Sequence, residues 1–552
     1  MPIIGNVGRR SKQVRILNIC IHCILLIGAV TMIYPFLIML SGSIKSDLDF
    51  KYFNIIPKYF SDETTLFQKH LSSKYNGRLS LANDCLGEQL TSFEDIKSPK
   101  SFPDQRVKDW EIFLAVQEST RKNSAASQVK LPWTTALKYS PKGSENSFPG
   151  SKKVTVKQYC PKRGCMTSEG SNFLETGSRE MDHYYYGLGA VSESGVQPEM
   201  QRGIKTWLKK QYQNDLDRLN DDLGTKLLSW EEIGFSPEDF TLRRSTGDYR
   251  GIMARFQEFK EDEAPQLYHY YFSLDGAFIS KLRRKYAGKL EELNKDLNTD
   301  FQNWRDIHLS QTKPAGVIGQ LWGKYVKKDL NLQFIGVEEQ AKTAYQEFLK
   351  TKYRQDIKFL NKIYSTEYIN FNQIPLVKKV PSRGNVLVDW AEFVESHIPV
   401  ESLYIRSAEF YYRDWLREKY NTLSALTKAH AADYKNFETV NMPAKEYEWT
   451  LFKANKKHIL WEFITRNYIV VIDTLLYNGR SIWNTFVYCS LSILAALIIN
   501  PMAAYALSRY RPPSTYKILL FLMLTMAFPP MVLGIPRFLM MKNLGLLNTY
   551  AA

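Results

Sequence analysis

The sequence predicts a mainly α protein, with membrane-spanning helices flanking a large, mostly helical domain of repeated helical hairpins. Three observations carry that reading. Long uncharged runs occur near the two ends, at 16–44 and 481–508. Residues 46–478 between them are polar, with charges of alternating sign. That middle stretch also repeats one pattern of leucine, tyrosine, asparagine and an aromatic residue.

The first element is the run from Ile16 to Ile44, preceded by Arg9, Arg10, Lys12 and Arg15, with no acidic residue before Asp47. About 20 apolar residues cross a bilayer, and basic residues before a first span are retained in the cytoplasm. The N-terminus is therefore expected inside and the chain after Lys45 outside. A cleaved leader, with Ser41-Gly42-Ser43 as its small-residue site, is the alternative, but the apolar part is long for one.

The middle, 46–478, is then expected to be extracytoplasmic. Aligned on one leucine, it reads Leu208, Tyr212, Leu216, Leu219-Asn220, Thr225, Trp230, Ile233. The offsets recur as Leu282, Tyr286, Leu290, Leu293-Asn294, Thr299, Trp304, Ile307, and as Leu349, Tyr353, Ile357, Leu360-Asn361, Thr366, Phe371, Ile374. An early copy starts at Leu71, and a late one at Leu416 is a residue shorter inside. Steps of 4, 4 and 3 predict one helix face from Leu208 to Asn220. Gly224 or Asn298 would end that helix, and Ser229 or Ser92 would cap a second short one. About five degenerate hairpins are thus expected, joined by connectors such as Trp110–Phe113 and Trp390–Phe393. The 30-residue pattern also resembles a helical element of some β-galactosidase-like glycosidases, which carries no catalytic residue across. Residues 120–200, rich in Ser, Gly, Lys and Pro, read as loops. The clusters Tyr184–Tyr186 and Tyr268–Phe272 read as buried packing rather than sugar-stacking platforms.

The last elements, 479–552, hold a second span from 482 to 508 and a third, proline-broken run from Ile518 to Pro536. The link between them carries Arg509, Arg511 and Lys517, which places it in the cytoplasm. Asn484, Asn500 and Tyr505 need polar partners in a bilayer. Pro529, Pro530 and Pro536 remove backbone donors and open the helix, either as a kink for packing or as the lining of a translocation path.

The second span opens Ser481-Ile482-Trp483-Asn484-Thr485 and closes Ala503-Ala504-Tyr505-Ala506-Leu507-Ser508-Arg509. Pro529-Pro530 and Pro536 follow, then Leu544-Gly545-Leu546-Leu547-Asn548-Thr549-Tyr550. In this order the motifs resemble the start of the membrane core of bacterial ABC importer permeases of the carbohydrate (maltose-type) family. Tyr34-Pro35-Phe36 through Lys45 resembles the family's first span. The resemblance implies a multi-pass subunit of the inner (plasma) membrane that works by alternating access. Its implied partners are an ABC ATPase subunit, a second permease subunit, an extracytoplasmic solute-binding protein and membrane lipid. Asn484, Tyr505, Arg509, Pro529, Pro530 and Pro536 are the candidate path or motif residues. The 46–478 insertion departs from the family. The family's ATPase-docking Glu-Ala-Ala…Gly loop is missing from the sequence, so a fragment or split subunit is expected and no coupling residue is assigned.

Other classes are weaker. The net charge of +16 invites nucleic acid, but Lys281 to Tyr286 is followed at once by Glu291-Glu292, the habit of solvated helices. Gly319 to Lys324 is followed by Tyr325, which is no phosphate-binding loop, so ATP hydrolysis would belong to a partner chain. No metal or cofactor signature occurs, and no cofactor is expected. Cys20, Cys23 and Cys489 read as small packing residues in spans, while Cys160 and Cys165 are either a pair or free thiols. A membrane-anchored binding or sensor protein and an anchored glycosidase remain as alternatives.

Overall fold

Four of the five repeats contain the same two-residue kink. In the computed structural model Asn76-Gly77, Gln213-Asn214, Ala287-Gly288 and Arg354-Gln355 all have positive φ. This corrects the single helix expected from Leu208 to Asn220. The chain instead forms one helix ending before Tyr212 and an eight-residue helix beginning at Leu216. A left-handed pair lets the second residue's N–H reach back five residues, closing the first helix. Asn214 N donates to Lys209 O at 2.7 Å, and Gly77, Gly288 and Gln355 do the same to Ser72, Arg283 and Lys350. The fifth copy has Asn421 alone at positive φ, which is its missing residue.

The structure describes residues 12–51, 54–99, 101–126, 185–192, 196–244, 249–381, 384–478, 481–510, 513–527 and 530–546. Cys160, Cys165 and Tyr184 lie outside them. The chain parts into two compact units, Met1–Asn467 and Tyr468–Ala552. It is mainly α throughout.

The first unit opens with helix α1, Lys12–Ser43. The hairpins then follow as α2, Glu63–Lys74, with α3, Leu79–Leu86; α5, Glu199–Gln211, with α6, Leu216–Leu223; α8, Leu274–Lys285, with α9, Leu290–Leu297; α11, Lys342–Lys352, with α12, Ile357–Tyr364; and α14, Ala408–Tyr420, with α15, Leu423–His430. After each comes a connector helix. These are α4, Asp104–Ala126; α7, Ile252–Asp262; α10, Gly316–Lys328; α13, Gly384–Glu392; and α16, Ala444–Ile472, which runs past the unit boundary. The expected second short helix is only one 3-10 turn, such as Trp230–Glu232 or Trp304–Asp306.

The repeated asparagine explains itself in the structure. Asn220 Nδ2 donates to Leu227 O and its Oδ1 accepts from Leu227 N, both at 2.9 Å. Thr225 Oγ1 donates to the same oxygen at 2.7 Å. Asn294 clamps Phe301, and Asn361 clamps Tyr368, in the same way. One side chain thus satisfies both backbone groups of a loop residue that helix or sheet would otherwise have to pair.

Four short strands precede the last four hairpins. β1, Tyr186–Leu188, pairs antiparallel with β2, His269–Tyr271. β3, Ile335–Val337, pairs likewise with β4, Leu403–Ile405. Each sheet sets a glycine under a tyrosine ring. A Cβ on Gly187 would lie 2.3 Å from Tyr270, and one on Gly336 would lie 2.2 Å from Tyr404. Tyr185 and Tyr268 to Phe272 are core rather than exposed stacking platforms; Tyr185, Tyr268, Tyr270 and Phe272 are fully buried.

The connectors share a second pattern, acid or other, aromatic, two residues, aromatic. It reads Asp109-Trp110…Phe113, Arg255-Phe256…Phe259, Leu321-Trp322…Tyr325, Asp389-Trp390…Phe393 and Glu448-Trp449…Phe452. In the middle three repeats the connector packs on its own hairpin. Arg255 pairs with Asp222 at 2.7 Å, Tyr325 meets Phe278 at 4.9 Å, and Phe393 meets Tyr345 at 5.1 Å. The outer two repeats exchange connectors. Trp110 of α4 meets Tyr412 of the fifth hairpin at 4.9 Å, and Phe452 of α16 meets Phe67 of the first at 5.2 Å. The array is therefore closed on itself, first to last.

The second unit holds α17, Ser481–Arg509, α18, Thr515–Ala527, and α19, Pro530–Asn543. Its helices are rich in apolar side chains, many of them exposed in the isolated chain.

Candidate functional site

Among the described residues two helical stretches are long and apolar enough to cross a membrane, Asn18–Ser43 and Ile482–Arg509. At 28 residues the second extends about 42 Å, more than the roughly 30 Å of a hydrocarbon core. Within the expected third span, 518–536, the structure describes helix over Thr515–Ala527, 13 residues or about 20 Å, and over Pro530–Asn543, while residues 528 and 529 lie outside the described residues.

The six candidate residues do not converge on one point. Asn484 is the fourth residue of α17, and Tyr505 lies 21 residues on, about 31 Å along the axis. Tyr505 and Arg509 are one turn apart on one face, and Tyr505 meets Tyr510 at 6.4 Å. All three candidates on α17 are exposed in the single chain. Pro530 and Pro536 both lie in α19. Pro529 lies outside the described residues. Cys20, Cys23 and Cys489 are exposed rather than packed, and Cys85 is a buried free thiol.

The polar unit holds charged groups that the sequence alone did not single out. Asp109, fully buried on α4, accepts from His430 Nε2 at 3.0 Å, Lys419 Nζ at 2.7 Å, Tyr420 Oη at 2.6 Å and Gln105 Nε2 at 2.6 Å. Burial pushes its carboxyl up, but these four donors outweigh burial and hold it well below the usual carboxylate range. Asp389, at the same connector position, accepts from Tyr353 at 2.6 Å and Tyr364 at 2.5 Å, with Lys352 at 2.9 Å. Glu448, the third, meets Lys74 at 2.5 Å, and both are buried. Burial raises the glutamic acid and lowers the lysine. The signal was available as an acid before the connector tryptophan.

A further cluster joins the third and fifth hairpins. Glu409 accepts from Ser273 Oγ at 2.5 Å and from Leu274 N and Asp275 N at 3.1 and 3.3 Å. Asp275 accepts from Arg413 Nη2 at 2.6 Å and Leu309 N at 2.8 Å. Burial and the Asp275 carboxylate push Glu409 up to about 7. Two carboxylates with pKa values driven apart are what acid–base chemistry uses. Here their oxygens are taken by backbone N–H groups and both residues are buried, so the pair serves packing. Among the described residues no group of three or more His, Cys, Asp or Glu could hold a metal ion. The Gly319–Lys324 stretch lies within helix α10, not in a loop that could cradle phosphate.

No protein-family profile matches the chain, and no solved structure matches it. Over 86 residues it is 29% identical to a probable ABC transporter permease protein of Pyrococcus horikoshii. The match covers 15% of this chain and 31% of that protein, so the chain spans about a third of the length of the curated relative it matches. It supports a relationship of the matched stretch to ABC transporter permeases in general.

Proposed function

We propose that the chain is a permease subunit of an ATP-driven importer, carrying carbohydrate by alternating access. The observation that carries this is the likeness to an ABC transporter permease, together with two helices of membrane-crossing length. The motifs from Trp483 to Tyr550 favour the sugar-uptake branch. An ABC ATPase subunit, a second permease subunit and an extracytoplasmic solute-binding protein complete the proposed machine. The N-terminus is cytoplasmic in this reading, residues 46–478 face outward, and 479–552 begin the membrane core. Asn484, Tyr505, Arg509, Pro529, Pro530 and Pro536 line or brace the path. No charge-bearing cofactor is required of this chain. The insertion sits where a binding protein would deliver cargo.

The test is co-purification of the tagged full chain from native membranes, followed by ATP-driven uptake of labelled oligosaccharides into vesicles holding the purified assembly. The expected result is an ATPase subunit in the assembly and uptake that stops without ATP. A chain that purifies free of any ATPase, from cells that express one beside it, overturns the reading. The buried Asp275–Glu409 pair, its oxygens held by backbone N–H groups, gives no support to an anchored glycosidase.

A further inference from the structure

We infer that Phe50 and residues 54–60 form a shelf that seats in the headgroup layer of the outer leaflet, beside the end of α1. The inference rests on the reading of α1 as a span and adds a second lipid contact made by the polar unit. Phe50, Ile55, Ile56 and Phe60 are exposed by 71, 41, 71 and 42% although they lie within one short segment of a folded unit. Apolar side chains clustered on a surface mark an interaction site.

The geometry fixes the height of this segment. Ser41 Oγ, within the last turn of α1, donates to Asn54 O at 2.9 Å, and Lys45 Nζ donates to the same oxygen at 2.7 Å. Tyr59 Oη donates to Ile44 O at 3.0 Å. Asn54 thus lies level with a residue two positions before the apolar helix ends, and Ile55 and Ile56 follow it directly. If α1 crosses the bilayer up to Ser43, these side chains are at the water–lipid boundary. The segment also returns firmly to the polar unit. Phe60 stacks on Tyr59 at 4.8 Å, Tyr59 meets Phe463 at 6.4 Å, and buried Lys69 binds Asp49.

The chemistry fits a lipid surface rather than a protein groove. Lys45, Lys51 and Lys58 are interleaved with the apolar residues, and Lys51 is well exposed. Aromatic and aliphatic side chains beside lysines are what interfacial segments use, the rings in the acyl boundary and the ammonium groups among phosphates. Of the nearby acids, Asp49 is turned inward to Lys69 and Glu94 lies 3.8 Å from Lys51.

A fluorescent amino acid placed by amber suppression at position 56, 26 or 369 of the full chain tests this in phosphatidylcholine nanodiscs. Nitroxide quenchers are carried either on the headgroup or deep in the acyl chain. Ile369 is an exposed apolar residue of the fourth repeat and Leu26 lies in mid-α1. The expected result is loss of emission at 56 with the headgroup quencher, at 26 with the deep quencher, and at 369 with neither. Quenching at 26 with none at 56 overturns the shelf while the span stands. No quenching at 26 overturns the span, and the shelf with it. A probe at position 50 repeats the reading should the 56 variant fold poorly, with the same outcomes.

Discussion

Replacing Asp109 by alanine should loosen the fifth hairpin and leave the first alone, although Asp109 is 310 residues from Lys419 and follows the first hairpin directly. The carboxylate is fully buried and accepts from His430, Lys419, Tyr420 and Gln105. Removing one partner of a buried ionic cluster costs about 3–5 kcal/mol, because the groups left behind stay desolvated and unpaired. At about 1.4 kcal/mol per factor of ten, amide exchange through local opening should rise by roughly 100- to 4,000-fold. Hydrogen exchange read by mass spectrometry on the full chain locates the loss. The increase should fall in peptides covering 408–430. Peptides covering 63–86 should stay within a few-fold of wild type. The Asp109 carboxyl is held below its usual range when folded, so its contribution is present above the unfolded value of about 4 and is lost as pH falls below that. The wild-type advantage over the variant should therefore shrink only under acid. If 63–86 loses protection instead, each connector packs on its own hairpin and the exchange is wrong.

Two further outcomes follow from the buried charges. Lys74→Met or Glu448→Leu alone should destabilise the first hairpin by about 3–5 kcal/mol, whereas the two together should be near neutral, as judged by urea unfolding of the full chain in detergent. Glu409 is raised above its unfolded value, so the folded state holds a proton that the unfolded state has lost. Stability should then fall as pH rises from about 4.5 towards 7, and Glu409→Gln should flatten that slope in thermal unfolding scans.

Much of the polar unit could be read from spacing because each repeat solves one local problem with the same side chains. Asn220, Asn294 and Asn361 recur since an amide is the side chain that can both donate to and accept from one backbone residue. The leucine–tyrosine stripe was equally plain, but the break inside it was not. Asn76-Gly77 and Ala287-Gly288 advertise a left-handed turn, yet Gln213-Asn214 and Arg354-Gln355 adopt it with no glycine at all. There the demands of the hairpin override the local preference. The exchange of outer connectors left no mark either. Asp109-Trp110 and Asp389-Trp390 are alike in sequence, and only the path of the intervening chain decides which hairpin each reaches. Composition marked out readily the two helices long and apolar enough to cross a membrane. The candidate residues were chosen by motif, and along α17 motif order says little about proximity: Asn484 and Tyr505 share a helix without sharing a neighbourhood.

Asn467 Nδ2 donates to Ser43 O at 2.7 Å, across 424 positions of chain. The path that leaves α1 comes home to within one hydrogen bond of its departure. A bulky lobe of this kind behaves like a bead tied into a string by a single knot: it occupies no length. The lobe is an excursion of the chain that starts and finishes at one point, the end of α1.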